Sequence, residues 1–221
     1  MNKCGWMLGA ACVALGVQAA GAPDISGPWQ ASADIKSLKV DGGGAPPLTA
    51  KGQQLLKEHQ ARPDDDPIKR CLPPGNPRTM NQAAFPFNIV QGQKFYTVMF
   101  EWNHLPRVIY MTGAHFENLG PGYFGQSVGH WDGDTLVVDT NTYNDATWLD
   151  DSGLPHSDAL HTVERIRLRD ANTLEVKIRF EDPAIYSKPW STTLSYVKKP
   201  GVVIKEDYCL GRTGQGTTVT K

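Results

Sequence analysis

The segment from Thr173 to Phe180 alternates at every step: Leu174, Val176, Ile178 and Phe180 fall between Thr173, Glu175, Lys177 and Arg179. A period of two puts the four apolar side chains on one face of an extended strand and the polar ones on the other, so the chain must build a sheet with one buried side. From Phe85 onward, short runs of β-branched and aromatic residues alternate with turn residues. Phe87 to Val90 and Phe95 to Phe100 flank Gln91-Gly92-Gln93-Lys94, and Arg107 to Thr112 follows a turn at Trp102-Asn103-His104. Phe124 to Trp131 joins Asp134 to Thr140 through Asp132-Gly133, a pair that favours a type I′ turn. Leu160 to Leu168 precedes the alternating strand, and Thr192 to Val197 and Val202 to Tyr208 follow it. With a first strand near Ile25 to Ala31, about nine or ten strands result, enough for a mainly β antiparallel meander to close into a barrel and remove its edges. The competing arrangement is a two-sheet sandwich. The barrel is expected to close around a small-molecule pocket.

The ends of the chain set its context. Lys3, an apolar run from Gly5 to Val17 and small residues ending at Ala20-Gly21-Ala22 have the layout of a secretory signal. Residues 1–22 are therefore read as a signal peptide and 23–221 as a single β-barrel domain, exported to the periplasm or beyond. The run is shorter than the roughly 20 apolar residues a spanning helix needs, so no stable membrane anchor is expected. Cys71 and Cys209 remain after the signal, and in an oxidising compartment they read as one disulfide. A net charge of −1 and the lack of a basic stripe exclude nucleic acid as a partner. One short N-terminal helix is predicted from Leu48 to His59, with Thr49 as its cap, and the acidic run Asp64-Asp65-Asp66 reads as a solvated loop.

The strand before the alternating one has to match its inner face. Leu160, Thr162, Glu164, Ile166 and Leu168 form its inner phase, which sends Glu164 into the interior. A carboxylate without water must be paired or shift its pKa, and both conditions are frequent at working sites. Glu164 is the expected catalytic acid or base, with His156 and His161 as partners; a structural ion pair with an arginine is the competing reading. His161 and Arg165 take the opposite phase of the strand. The connection from Asn141 to Pro155 mixes Trp148 and Leu149 with Asp145, Asp150 and Asp151, the makeup of a lid. Glu101, Arg107, Tyr110, Asp139, Trp148 and Arg165 complete the expected substrate-binding set. Glu101, Arg107 and Asp139 are its inward polar groups, and Tyr110 and Trp148 its flat apolar walls.

Two other patterns need weighing. His156, His161 and Glu164 match a zinc or iron triad in composition, but two histidines five apart straddle a strand, so no metal is assigned. Gly125-Gln126-Ser127-Val128-Gly129 matches the G-x-S-x-G expression of hydrolases, yet it runs straight into a hairpin where that motif needs a strand, an elbow and a helix. Its glycines read instead as close packing at a barrel wall, with Leu136 and Val138 opposite. No G-x-G-x-x-G, P-loop or C-x-x-C-H stretch calls for a cofactor.

Gly27-Pro28-Trp29 on the first strand resembles the G-x-W of lipocalins and other calycin barrels, a likeness that implies a tryptophan closing the barrel floor under an arginine, here Arg212. A broader resemblance rests on the strings Gly125 to Thr140, Thr147 to Gly153, Pro155 to Arg165, and Asp182-Pro183 through Pro189-Trp190. These are similar to a widespread group of exported bacterial proteins of unassigned function, which implies a shared barrel-like fold and no reaction. Where that group has Asp-Gly-Arg-x-His-Pro, this chain has Thr112-Gly113-Ala114-His115-Phe116. The leading functional expectation is a cofactor-independent acid/base enzyme, an isomerase, cyclase or lyase acting on a small hydrophobic or aromatic compound. The alternatives are a periplasmic carrier of a hydrophobic ligand and a metal-dependent hydrolase or lyase.

Overall fold

The computed structural model describes residues 21–212. Nine strands close into one barrel in sequence order. They are β1 (Gly27–Ala31), β2 (Phe87–Gln91), β3 (Phe95–Phe100), β4 (Pro106–Tyr110), β5 (Gln126–Asp132), β6 (Thr135–Asn141), β7 (His161–Asp170), β8 (Thr173–Glu181) and β9 (Trp190–Lys198). Helix α1 (Ala50–Ala61) packs outside, and a short α2 (Cys209–Arg212) ends the described chain. Closure comes from β1, which pairs antiparallel with both β2 and β9. The expected segment from Val202 to Tyr208 is irregular rather than a strand. Once β9 has paired with β1, the sheet has no edge left to receive another strand.

The meander is antiparallel except at one seam. β4 and β5 run parallel through Ile109↔Ser127 and Tyr110↔Val128, because the long connection between them carries the chain back before β5 begins. The β5–β6 hairpin turns one residue later than expected. Asp132 pairs with Thr135, and of the two central residues only Gly133 has positive φ, as in a type II′ turn rather than type I′. Helix α1 starts where its cap predicts, the Thr49 hydroxyl accepting the Gly52 N–H at 3.1 Å.

Side chains fill the barrel. Trp29, Val138, Val176, Ile178, Phe180 and Tyr196 have no solvent contact, so the interior is a packed core and the clefts lie at its rim and flanks. At the floor, the Lys198 ammonium lies 5.3 Å from the Trp29 ring centroid, the place expected for Arg212, whose side chain lies outside the described residues. The residue 1–22 signal assignment falls, up to residue 20, outside the described residues as well.

Two loop expectations are corrected, and the expected disulfide is present. The 141–155 connection is not a free lid: Leu149 and Asp150 are buried, and Asp150 accepts the backbone N–H groups of Leu38, Ser152 and Leu154. Asp66 is not solvated but buried, receiving Nη1 and Nη2 of Arg78 at 2.8 and 2.6 Å. Cys71 and Cys209 form a disulfide that ties the chain end to the segment after α1. Among the described residues, no helix is long and apolar enough to cross a membrane.

Candidate functional site

Glu164 on β7 faces inward and is fully buried. Its carboxylate meets Arg107 of β4, with Nη1 donating to Oε1 at 3.1 Å and Nη2 to Oε2. The same guanidinium reaches Ser127 through Nε and Thr140 through Nη2, both at 3.1 Å, and Asn76 Nδ2 donates to Glu164 Oε1 at 3.3 Å. Burial disfavours a charged Arg107, but the adjacent carboxylate outweighs it and raises the guanidinium pKa above its ordinary value. Ser127 spends its hydroxyl on Arg107 and Thr140, so the G-x-S-x-G stretch presents no activated nucleophile.

The three residues expected to act together belong to three separate networks. His156 is buried in the loop beside β7, where Nδ1 donates to the Ser157 carbonyl at 3.0 Å and Nε2 accepts the Thr147 hydroxyl at 2.7 Å. Burial lowers its pKa, which keeps the ring neutral. It lines a cleft of about 450 Å³ with Thr147, Trp148 and residues of α1. His161 lies on the outer face of β7, one residue out of phase with the interior. Hence the Glu164–His156–His161 grouping, as catalytic set or metal triad, does not form. Among the described residues, no group of three or more His, Cys, Asp or Glu side chains is arranged to hold a metal ion.

Chemistry gathers instead around Asp139. This residue faces outward, contrary to expectation, because Val138 takes the interior position beside it. His161 Nε2 donates to Asp139 Oδ2 at 2.8 Å, and His115 Nε2 lies 2.7 Å from Oδ1. His115 comes from the connection between β4 and β5, and its Nδ1 is 2.9 Å from Gln126 Oε1. The Gln126 amide is fixed by Phe116, whose N–H donates to Oε1 at 3.0 Å while Nε2 donates to the Phe116 carbonyl at 3.4 Å. His115 Nδ1 therefore faces an amide oxygen and Nε2 a carboxylate oxygen, both of them acceptors. Partial burial pulls the Asp139 pKa up, but the two imidazoles outweigh it and hold the carboxyl below its usual range.

His161 has a second neighbour. Its Nδ1 stands 3.6 Å from Glu181 Oε2, and Glu181 is itself held by Arg179 at 2.6 and 3.0 Å. With Nε2 committed to Asp139, Nδ1 of the neutral ring is the free basic atom, and a proton taken there faces a second carboxylate. His161 and Glu181 line a cleft of about 340 Å³ whose other walls include Ala159, Pro183, Tyr186, Lys188 and Pro189.

The remaining expected residues scatter. Tyr110 and Arg107 line a third cleft, of about 380 Å³, at the β4–β5 seam. Trp148 stacks with the His59 ring at 4.6 Å and has the Arg78 guanidinium over its ring at 5.7 Å. Arg165 pairs with Asp132 at 2.9 Å on the outer surface, and Glu101 faces the chain end, accepting the Lys205 N–H at 3.0 Å. His115, Gln126 and Glu181 were not in the expected set. The histidine in the segment that departs from the exported group's pattern was the available signal for the first.

No family model matches the chain, and no curated protein matches it. Among solved structures, a mutant of the fluorescent protein UnaG matches with a TM-score of 0.36 and 15% identity, over 79% of this chain and 96% of that one. At that distance the likeness carries neither fold nor function to this chain.

Proposed function

We propose that this protein is an exported acid/base enzyme acting on a small, largely apolar molecule, with His161 as the proton-accepting group. The observation that carries the reading is Asp139, whose two oxygens face one imidazole each, His161 at the edge of a cleft and His115 behind it. Asp139 fixes the His161 tautomer and compensates the imidazolium that forms when Nδ1 takes a proton, the role an orienting carboxylate plays beside a catalytic histidine. Glu181 adds a second compensating charge. Isomerisation, cyclisation or elimination needs no more than such a group and a dry wall to hold the substrate. Export is supported by the leader-like residues 1–22 and by the Cys71–Cys209 disulfide, which persists in oxidising compartments.

A generic proton-transfer probe tests this without knowledge of the natural substrate. In a nitrobenzisoxazole, a base removes the ring C–H proton, the N–O bond breaks, and a cyanophenolate forms with no cofactor. The protein is expected to accelerate this elimination beyond the same concentration of free imidazole, and His161→Gln and Asp139→Asn to remove the excess. A rate equal to that of free imidazole, or unchanged in both variants, contradicts the reading.

A carrier is the second reading, favoured by the apolar cleft at the β4–β5 seam. Native mass spectrometry of gently purified protein separates the two, since a carrier retains its cargo.

A further inference from the structure

The outer wall of the barrel has two characters. On β7 and β8 the side chains that point away from the core include Arg165, Arg167, Glu175, Lys177, Arg179 and Glu181, the charged cover of a solvated sheet face. Among the residues of β2, β3 and β4 that share this outward phase, none is charged. Strand register sets Phe95 beside Tyr110, Thr97 between Val90 and Val108, and Met99 between Asn88 and Pro106. The connection from β4 to β5 lays Phe116 edge-on against Tyr110 at 4.7 Å, which widens the apolar face. Leu119 lines a shallow cleft with Val108 and Tyr110. Val90, Phe95, Met99, Phe116 and Leu119 are each between 37% and 52% exposed.

These five side chains present on the order of 400 Å² of apolar surface, within the range where such patches on monomers are functional. With the half-buried residues between them and a polar rim, the face approaches the roughly 800 Å² per partner of a stable interface. The barrel is closed, so no chain can dock by adding a strand, and a partner must pack face to face. An uncharged face meets no like charge when it packs on a copy of itself. Charge returns at the two ends of β3, where Lys94 precedes the strand and Glu101 follows it. A two-fold axis along the strands would set Lys94 against Lys94. An axis across the strands at Thr97 reverses one β3 on the other and sets Lys94 of each copy against Glu101 of the other. We infer that this protein forms a two-fold dimer through the outer faces of β2, β3 and β4, with β3 packed antiparallel on β3.

Sedimentation equilibrium of the protein from about 1 to about 100 µM tests this. The unaltered protein is expected to run at twice the chain mass over most of that range. Phe95→Lys, at a half-exposed position outside the core, should weaken association roughly a hundredfold while circular dichroism shows the fold intact. Lys94→Glu and Glu101→Lys each exchange an attraction for a repulsion at both ends of the interface. Either alone should weaken the dimer roughly fivefold, and the two together should restore it. A monomer at every concentration overturns the inference, as does a dimer that survives Phe95→Lys or a double exchange that fails to restore association. A monomer that binds neutral phosphatidylcholine vesicles, and loses them with Phe95→Lys, overturns it in favour of a membrane surface.

Discussion

Arg107 and Glu164, separated by 57 residues in the chain, meet inside the barrel with both terminal guanidinium nitrogens on one fully buried carboxylate. The pair ties β4 to β7 across the interior and engages Ser127 and Thr140 on the strands between them. Burying two charges costs heavily, and the pair holds because both carboxylate oxygens and four of the five guanidinium N–H groups find partners.

Breaking it from one side should therefore be worse than removing it. Glu164→Gln or Arg107→Met alone is expected to destabilise the fold by roughly 3–5 kcal/mol, since each strands a buried charge or donor. The double variant Arg107→Met/Glu164→Leu should cost less than the sum of its parts. Urea denaturation of the three variants measures the coupling; additive losses would mean that the charges do not depend on each other.

His156 sets a pH dependence. Its pKa is lowered from 6.5 by burial, so on acidification the unfolded chain takes up a proton that the folded chain refuses. Stability from this group is level above 6.5 and falls as pH drops from 6.5 toward the lower folded pKa, by up to about 1.4 kcal/mol per unit. Unfolding free energies between about pH 7 and about pH 5 should show this slope, and His156→Gln should flatten it. A slope unchanged by the substitution would assign it to other groups.

Much of the barrel was legible because its signals are local. The alternation around Val176 and Ile178 fixed the inner face of β8, and the same phase sent Glu164 inward. The arginine that meets Glu164 lies on a distant strand, and no period in sequence relates the two. Asp139 was misplaced because Val137, Val138 and Asp139 follow one another with no clear alternation, leaving the phase of β6 open. His115 sits in an irregular connection, where its neighbours are set by the parallel return of β5 and not by spacing. Val202 to Tyr208 has strand-like composition, but a closed barrel offers it no partner.

Gly125 is a packing glycine. It has φ of +62°, and a Cβ there would stand 2.4 Å from the Asn141 carbonyl oxygen and 2.8 Å from Thr140 Cγ2. Gly125→Ala should cost roughly 2–4 kcal/mol, from strained backbone and a clash that the hairpin cannot relieve cheaply. Thermal denaturation checks it, and a neutral effect would mean that the chain at Gly125 relaxes around the added methyl group without cost.

The claim that Asp139 joins His115 and His161 into one proton-holding array is tested most directly by proton–nitrogen correlation spectra of the histidine rings, with and without Asp139→Asn. The protein is expected to show both rings fixed by hydrogen bonds, His161 as the Nε2–H tautomer, and the substitution should shift the ring resonances of both histidines. Rings that exchange freely between tautomers in the unaltered protein, or that ignore Asp139→Asn, would contradict it.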